Sequence, residues 1–211
     1  MLSKPAVNTT INNFILHGGG GHARVVLDTL MACGFKVMCI FDPKYTGTLM
    51  GIPYAGNYRT DMFTDAAAII AIGDNRTRKQ AASETRHAFA TVIHPSAVLS
   101  SFTQIGEGTM ILHGAIVQAG TKIGKHVIIN TRASIDHDCH IGDFVHIAPG
   151  AVLCGTVSVG EGALVGAGAT VLPGIKIGAW SVIGAGSVVT RDVAEGTVVA
   201  GSPARMLKKY A

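Results

Sequence analysis

From Ile93 the chain reads Ile93-His94-Pro95-Ser96-Ala97-Val98, Leu99-Ser100-Ser101-Phe102-Thr103-Gln104, Ile105-Gly106-Glu107-Gly108-Thr109-Met110, and it keeps this phase to Ala194. Every sixth residue from Ile93 to Val189 is Ile, Leu or Val, seventeen times without a break. Four residues after each stands a mostly small side chain, as at Ala97, Ala115, Ala133, Cys139, Ala163 and Ser187. A period of six is neither helical nor a plain strand alternation. It is the signature of a hexapeptide β-helix. The aliphatic residue points into a prism, the small one fits beside it, and Gly or a polar residue takes the bend; Gly often directly follows the aliphatic residue, as at Gly106, Gly124 and Gly142. Three hexads make a coil, so seventeen make almost six coils, stacked to a height of ~27 Å at the inter-strand spacing.

The rest of the composition suits a solenoid. Of 211 residues, 48% are hydrophobic, 14% charged and only 6% aromatic, with 27 glycines. The net charge is +4, yet Lys and Arg form no run longer than Lys208-Lys209. That spread favours anionic small ligands over nucleic acid. Cys33, Cys39, Cys139 and Cys154 have no CxxC spacing and read as reduced thiols of a cytoplasmic protein. No signal-peptide pattern precedes Phe14 and no apolar run approaches the length of a membrane span, so none is expected.

Ahead of the hexads, residues 1–13 are polar and are expected to be loose. Phe14 to His17 forms a strand, Gly18-Gly19-Gly20-Gly21-His22-Ala23 a turn, and Arg24 to Cys33 a helix stopped by Gly34. Val37 to Phe41 is the next strand, closed by Asp42-Pro43, which completes a βαβ unit. A strand over Ala67–Ile72, a helix over Arg76–His87 capped by Asn75, and a short strand over Ala90–Ile93 follow. The boundary falls near residue 91: a small Rossmann-like α/β domain, 1–91, leans on a β-helix domain, 92–211. After Val193 the phase fails, and Gly196 and Gly201-Ser202-Pro203-Ala204-Arg205 read as an exit loop before a basic tail.

Two stretches can carry chemistry. Gly18 to Ala23 fits Gly-x-Gly-x-x-Gly/Ala between strand and helix, with Asp42 ending the next strand. Glycines let a backbone approach phosphate, the helix start offers N–H groups, and Asp42 can hold ribose or sugar hydroxyls. Half a Rossmann unit leaves no room for NAD. The second stretch holds His113, His126, His137, His140 and His146, five of the nine histidines. His137 lies between Asp136 and Asp138, and a carboxylate neighbour makes an imidazole more basic, suited to proton abstraction near neutral pH. His113, His126 and His140 read as solvated corner residues. No metal is expected, because zinc needs ligands converging on one point while His137, His140 and His146 occupy different places in their hexads. Cys139 and Cys154 fall in or beside the small-residue slots and read as packing.

The Gly-Gly-His βαβ unit, Ala71-Ile72-Gly73-Asp74-Asn75 with Arg78-Lys79 behind, and a hexad prism carrying Asn130, Asp136-His137-Asp138-Cys139, Ile141-Gly142 and His146 together resemble one family along nearly the whole chain. It is the family of bacterial hexapeptide-repeat sugar acetyltransferases that includes the sialic acid O-acetyltransferase type and the nucleotide-linked 4-amino-sugar N-acetyltransferases. The resemblance implies a left-handed parallel β-helix, a homotrimer with active sites between prisms, and direct acetyl transfer from acetyl-CoA to a UDP-, GDP- or dTDP-linked amino sugar. It implies His137 as general base, supported by Asp138 or Asp136, with Asn130 lining the same cleft. His146, Gly155, Ala167 and Ala185 would face the coenzyme, and Gly20, Gly21, His22, Asp42 and Gly73 the sugar nucleotide. The same base would serve O-acetylation of a sugar. The sugar hangs from its nucleotide, so the glycine turn is expected beside the prism corner that carries His137.

Overall fold

The computed structural model describes residues 12–209, so the expectation for residues 1–11 lies outside the described residues. The hexads fold as seventeen two-residue strands, from Val92–Ile93 to Val188–Val189. The second residue of each points inward, and Ile111, Ile129, Ile135, Ile147 and Leu153 are wholly buried there, with Ala115, Ala133, Cys139 and Ala163 filling the space between them. Strands pair in parallel with those eighteen residues away, as Ile116 with Ser134, Lys122 with His140 and Ile128 with His146. The outcome is a triangular prism. Its first face holds Ile93, Ile111, Ile129, Ile147, Val165 and Ile183; its second runs from Leu99 to Val189; its third runs from Ile105 to Ile177.

The bend is made differently from the expectation. The glycines that follow the aliphatic residues stack backbone on backbone. The bend itself falls two residues later, where φ is positive at every corner from Gly108 to Gly186. Eight of these fourteen positions are Gly; the others are His126, Arg132, Asp138, Phe144, Thr156 and Trp180. A side chain in the left-handed region costs ~1 kcal/mol, and a bulky one there is uncommon.

Ahead of the prism come β1 (Asn13–His17), α1 (Gly21–Ala32), β2 (Lys36–Phe41), a small hairpin of β3 (Thr48–Leu49) and β4 (Ile52–Pro53), β5 (Ala67–Ile70) and α2 (Asn75–Glu84). β2, β1 and β5 form a parallel three-stranded sheet in that order. The unit leans on the first face: Leu16, Leu27 and Leu30 share one core with Val92, Met110, Leu112 and Ile128. α1 begins inside the glycine run, earlier than expected, because Gly20 serves as its N-cap. α2 is capped by Asp74, whose carboxylate accepts the Thr77 N–H at 2.8 Å, and not by Asn75. Asn75 instead reaches the prism, donating to the Gly162 and Ala163 carbonyls at 3.0 and 3.1 Å. α2 also ends sooner than expected, since Thr85 is already extended. Likewise β5 stops at Ile70 and the strand before the prism is Val92–Ile93 alone.

The expected exit loop is a hairpin. Thr197–Gly201 continues the first face beside Val182 and Ile183, and Ala204–Lys209 folds back antiparallel on it. The last coil would otherwise present an open ladder of N–H and C=O groups, and the hairpin extends it. Among the described residues no helix is long and apolar enough to cross a membrane.

Candidate active site

His137 stands on the corner between the second and third faces, in the turn after Ser134–Ile135. Its Nδ1 lies 2.9 Å from Asp138 Oδ2, while Asp136 Oδ1 accepts the His137 backbone N–H at 2.8 Å. The two carboxylates thus divide the work: Asp138, turned by its positive φ, holds the ring, and Asp136 holds the turn. The Asp138 hydrogen bond first, and the Asp136 charge second, raise the His137 pKa above the usual imidazole value. With Nδ1–H donated to Asp138, Nε2 is left as the basic atom. The ring is exposed and lies over Gly155, one coil on, where a Cβ would come within 2.6 Å of Nε2. Only glycine fits beneath the imidazole. The coil-to-coil ladder there runs through Cys154 N and Thr156 N and passes over the Gly155 N–H. Cys139 is buried, its Sγ on the Cys154 carbonyl at 3.3 Å, and burial raises its thiol pKa, as suits a packing residue.

A second group of expected residues surrounds a cavity of about 240 Å³ lined by Gly18–Gly21, His22, Asp42, Lys44, Tyr45 and residues 71–73. Asp42 accepts the Gly19 N–H on Oδ2 at 2.8 Å and the Lys44 N–H on Oδ1 at 3.0 Å. Tyr54 Oη donates to the Gly19 carbonyl at 2.9 Å. Strict glycine is required at 18 and 19, where a Cβ would strike Ile72 and the Tyr54 ring at 2.4 Å. At Gly20 and Gly21 it would meet open space or nothing nearer than Tyr45 Oη at 3.8 Å. Those two therefore form the bare lip of the cavity, at the start of α1, which has no side-chain cap and no acid in its first turn. A helix start of that kind receives anions.

Between these groups lie the remaining residues, on or beside the first face. His146 projects from it toward His22, with ring centroids 6.2 Å apart. Its Nε2 is 3.0 Å from Asn130 Nδ2. Burial, helped by the Arg78 charge, pushes His146 down to about 3 and His22 to about 4, so both are neutral at neutral pH. His22 Nε2 is buried with no partner. Asn130, Ala167 and Ala185 follow first-face strands and share the corner between the first and second faces, the two alanines exposed.

Within one chain the glycine turn is not beside His137. The N-terminal unit covers the first face, and His137 stands on the one edge of the prism that does not border it. The second face separates His137 and Gly155 from Asn130, Ala167 and Ala185. It exposes Val98, Ile116 and Val152 at 63%, 37% and 38%. A concavity of about 810 Å³ is an open trough on the third face past Lys122, His140 and Lys176, and holds none of the expected site residues.

His140 is exposed on the third face. His113 bonds Asp28 at 2.9 Å and stacks on His94. His126, expected in solvent, is instead buried between Phe89 and Phe144. His137, His140 and His146 lie on three different parts of the prism, and no three metal-ligating groups converge among the described residues.

The sequence reading did not foresee that Arg78 is fully buried, nor that bulky side chains stand at left-handed corner positions. Gly was the signal: where the eighteen-residue column His126, Phe144, Gly162, Trp180 departs from it, the large side chain packs the N-terminal unit. Phe144 stacks on His126, and Lys79 and Arg76 lie over Trp180.

Residues 13–85 match the PglD N-terminal domain family, and residues 102–135, 120–155 and 156–191 match the bacterial transferase hexapeptide (six repeats) family. The UDP-N-acetylbacillosamine N-acetyltransferase of Bacillus subtilis (strain 168) is 42% identical over 47% of this chain, so the match spans 51% of that relative. The crystal structure of PerB from Caulobacter crescentus, in complex with CoA and GDP-perosamine, is 39% identical with a TM-score of 0.89, covering 94% of this chain and 99% of that one. The acetyltransferase domain of PglB from Neisseria gonorrhoeae FA1090 is 33% identical with a TM-score of 0.89, covering 93% of this chain and 100% of that one. On fold, N-terminal unit and sequence alike, the chain belongs to the hexapeptide-repeat N-acetyltransferase family of which the Caulobacter enzyme is a member.

Proposed function

We propose that this chain transfers the acetyl group of acetyl-CoA to the amine of a nucleotide-linked 4-amino-deoxy sugar, with His137 as general base. The observation that carries the reading is the His137–Asp138 pair: a basic Nε2, exposed, over a glycine whose N–H is outside the ladder. The amine attacks the thioester carbonyl and its proton passes to His137 Nε2. The Gly155 N–H supports the oxyanion, and the CoA thiolate leaves as the carbonyl re-forms. No metal or covalent enzyme intermediate is needed. The relatives favour the amine: PerB carries GDP-perosamine with CoA, and the Bacillus protein is an N-acetyltransferase. In this reading residues 1–91 hold the nucleotide, with Gly20, Gly21, His22, Asp42 and Gly73 around its phosphates and sugar. The prism, 92–211, does the chemistry, and Asn130, His146, Ala167 and Ala185 line the coenzyme cleft. The setting is cytoplasmic, with no nucleic acid among the partners.

The working unit is a homotrimer. Packing three prisms through their apolar second faces brings the second–third corner of each, with His137, against the first–second corner of the next, with Asn130 and Ala167. The nucleotide cavity of one copy then meets the base of its neighbour, which reconciles a sugar on its nucleotide with the separation found in one chain.

The test is thiol release from acetyl-CoA against UDP-, GDP- and dTDP-linked 4-amino sugars, with hydroxyl-only analogues beside them. Transfer to an amine is expected. His137→Ala should lower kcat roughly 100-fold or more while acetyl-CoA still binds. Sedimentation should give a trimer. Near-normal turnover of His137→Ala, or a fully active monomer, would remove the base or the assembly.

A further inference from the structure

The cavity at the glycine turn is too small to enclose a nucleotide sugar. Its 240 Å³ lies below the roughly 300–1,000 Å³ of a site that buries a drug-sized ligand, so part of such a ligand must rest on the rim. Two rings line the cavity, His22 and Tyr45. His22 is on the buried side, with its Nε2 out of solvent and its ring beside His146. Tyr45 is on the open side, 44% exposed. The bare lip of Gly20 and Gly21 starts α1 there, and a Cβ on Gly20 would lie 3.8 Å from Tyr45 Oη.

Tyr45 is held in place from behind. Its ring stacks on Tyr54, with centroids 5.5 Å and planes 26° apart. Tyr54 is itself fixed, because its Oη donates to the Gly19 carbonyl at 2.9 Å and its N–H to the Gly47 carbonyl at 3.0 Å. Asp42 Oδ1 ties down the start of the same turn through the Lys44 N–H at 3.0 Å. Of the stacked pair only Tyr45 lines the cavity, so the face turned from Tyr54 is the one a ligand can meet. A diphosphate on the glycine lip leaves two ways round for the rest of the ligand. With the base inward, the base would press on His22 and His146 while the sugar amine stood in solvent. With the base outward, the amine faces His146 and Asn130, and the base reaches Tyr45.

We propose that Tyr45 is the nucleobase platform of this protein: the base of the sugar nucleotide stacks on its outer face, as the third ring of a pile founded on Tyr54. This rests on the acetyl-transfer reading above. Stacking uses the π-face that every base has, so Tyr45 supplies affinity and does not choose among uracil, guanine and thymine. It is a binding residue, and its loss weakens the acceptor without touching the chemical step.

The experiment is calorimetric titration of UDP, GDP and dTDP into the full-length wild type and the variants Tyr45→Phe, Tyr45→Leu and Tyr45→Ala, each checked for folding by circular dichroism. Tyr45→Ala is expected to weaken every nucleotide that the wild type binds by roughly 10-fold or more. Tyr45→Phe keeps the ring and should stay within about two-fold of wild type. Tyr45→Leu keeps bulk over Tyr54 without a π-face, and should lose nearly as much as alanine. Unchanged affinity in Tyr45→Ala overturns the proposal. So does wild-type affinity in Tyr45→Leu, which would show that bulk on Tyr54 suffices, or a loss in Tyr45→Phe as large as in alanine, which would give the contact to the hydroxyl. Should Tyr45→Ala not fold, the contrast between Phe and Leu decides alone. The titrations need no acetyl transfer. A wild type that binds nucleotide but releases no CoA with any amino-sugar nucleotide refutes the function and leaves the stacking tested; one that transfers acetyl but binds none of the three nucleotides refutes the stacking.

Discussion

Replacing His126 by Phe tests whether a histidine in the apolar ladder is held neutral. Its ring is 5% exposed, stacks on Phe144 at 5.1 Å, meets Phe89 edge-on at 4.5 Å, and leaves Nδ1 without a partner. Burial lowers its pKa to about 4 from 6.5. The folded value lies below the unfolded one, so the unfolded chain binds the extra proton. Stability from this group is full above pH 6.5 and is lost as pH falls from there toward 4. At pH 5 the ceiling is about 2 kcal/mol, from ~1.4 kcal/mol per pH unit, and solvent screening at the ring edge brings it nearer ~1 kcal/mol. Phenylalanine removes the titration and the orphan nitrogen; Phe144, one coil on, has the same left-handed backbone. Its extra bulk presses on Gly108, so the effect at pH 7.5 should stay within ~1 kcal/mol either way. Urea unfolding by circular dichroism, at fixed protein concentration, should show the variant gaining about 1–2 kcal/mol on wild type between pH 7.5 and pH 5. His22 and His146 titrate in both proteins and cancel. Identical pH dependence in the two would refute the buried neutral imidazole.

Other outcomes follow from the site. Asp138→Asn removes the bond that raises the His137 pKa, so the acid limb of the pH–rate profile should move to lower pH, with kcat reduced; an unmoved limb contradicts the pairing. Gly155→Ala should fold yet lose roughly 100-fold or more in kcat, because its methyl would occupy the space beside His137 Nε2; normal turnover would show the ring is free to shift. His22→Ala and Asp42→Ala should raise the KM for the sugar nucleotide and leave that for acetyl-CoA alone, and an unchanged acceptor KM in both would leave the N-terminal cavity without its role.

The prism was legible because its core repeats one aliphatic residue and one mostly smaller residue in every six, and all seventeen strands fall where the hexads put them. The His137 pairing was legible in part: adjacency supplied two carboxylates, but only the corner geometry could assign the ring to Asp138. The eighteen-residue coil stacks Gly155 on His137, a relation present in the numbering. What hid the rest is that hexads give the same local signal on all three faces. His137 and His146 look like neighbours in sequence, yet they stand on an edge and a face separated by the width of the prism. The caps misled for a similar reason: Asp74 and Asn75 are both good cap residues, and the prism carbonyls at 162 and 163 took the second one.

The grip of α2 on the column at residues 126, 144–145, 161–163 and 180 also limits how this architecture can change length. A solenoid grows most simply by duplicating a whole turn, since each turn touches only its neighbours. Here an extra turn inserted anywhere within that span would pull one anchor of the helix away by a full strand spacing and tear the others from their partners. Among the described residues no such clamp lies beyond Trp180. The chain behaves as a measuring stick with its graduations locked at one end, so length variation among its relatives should collect toward the C-terminal hairpin and leave the four gripped turns uncounted.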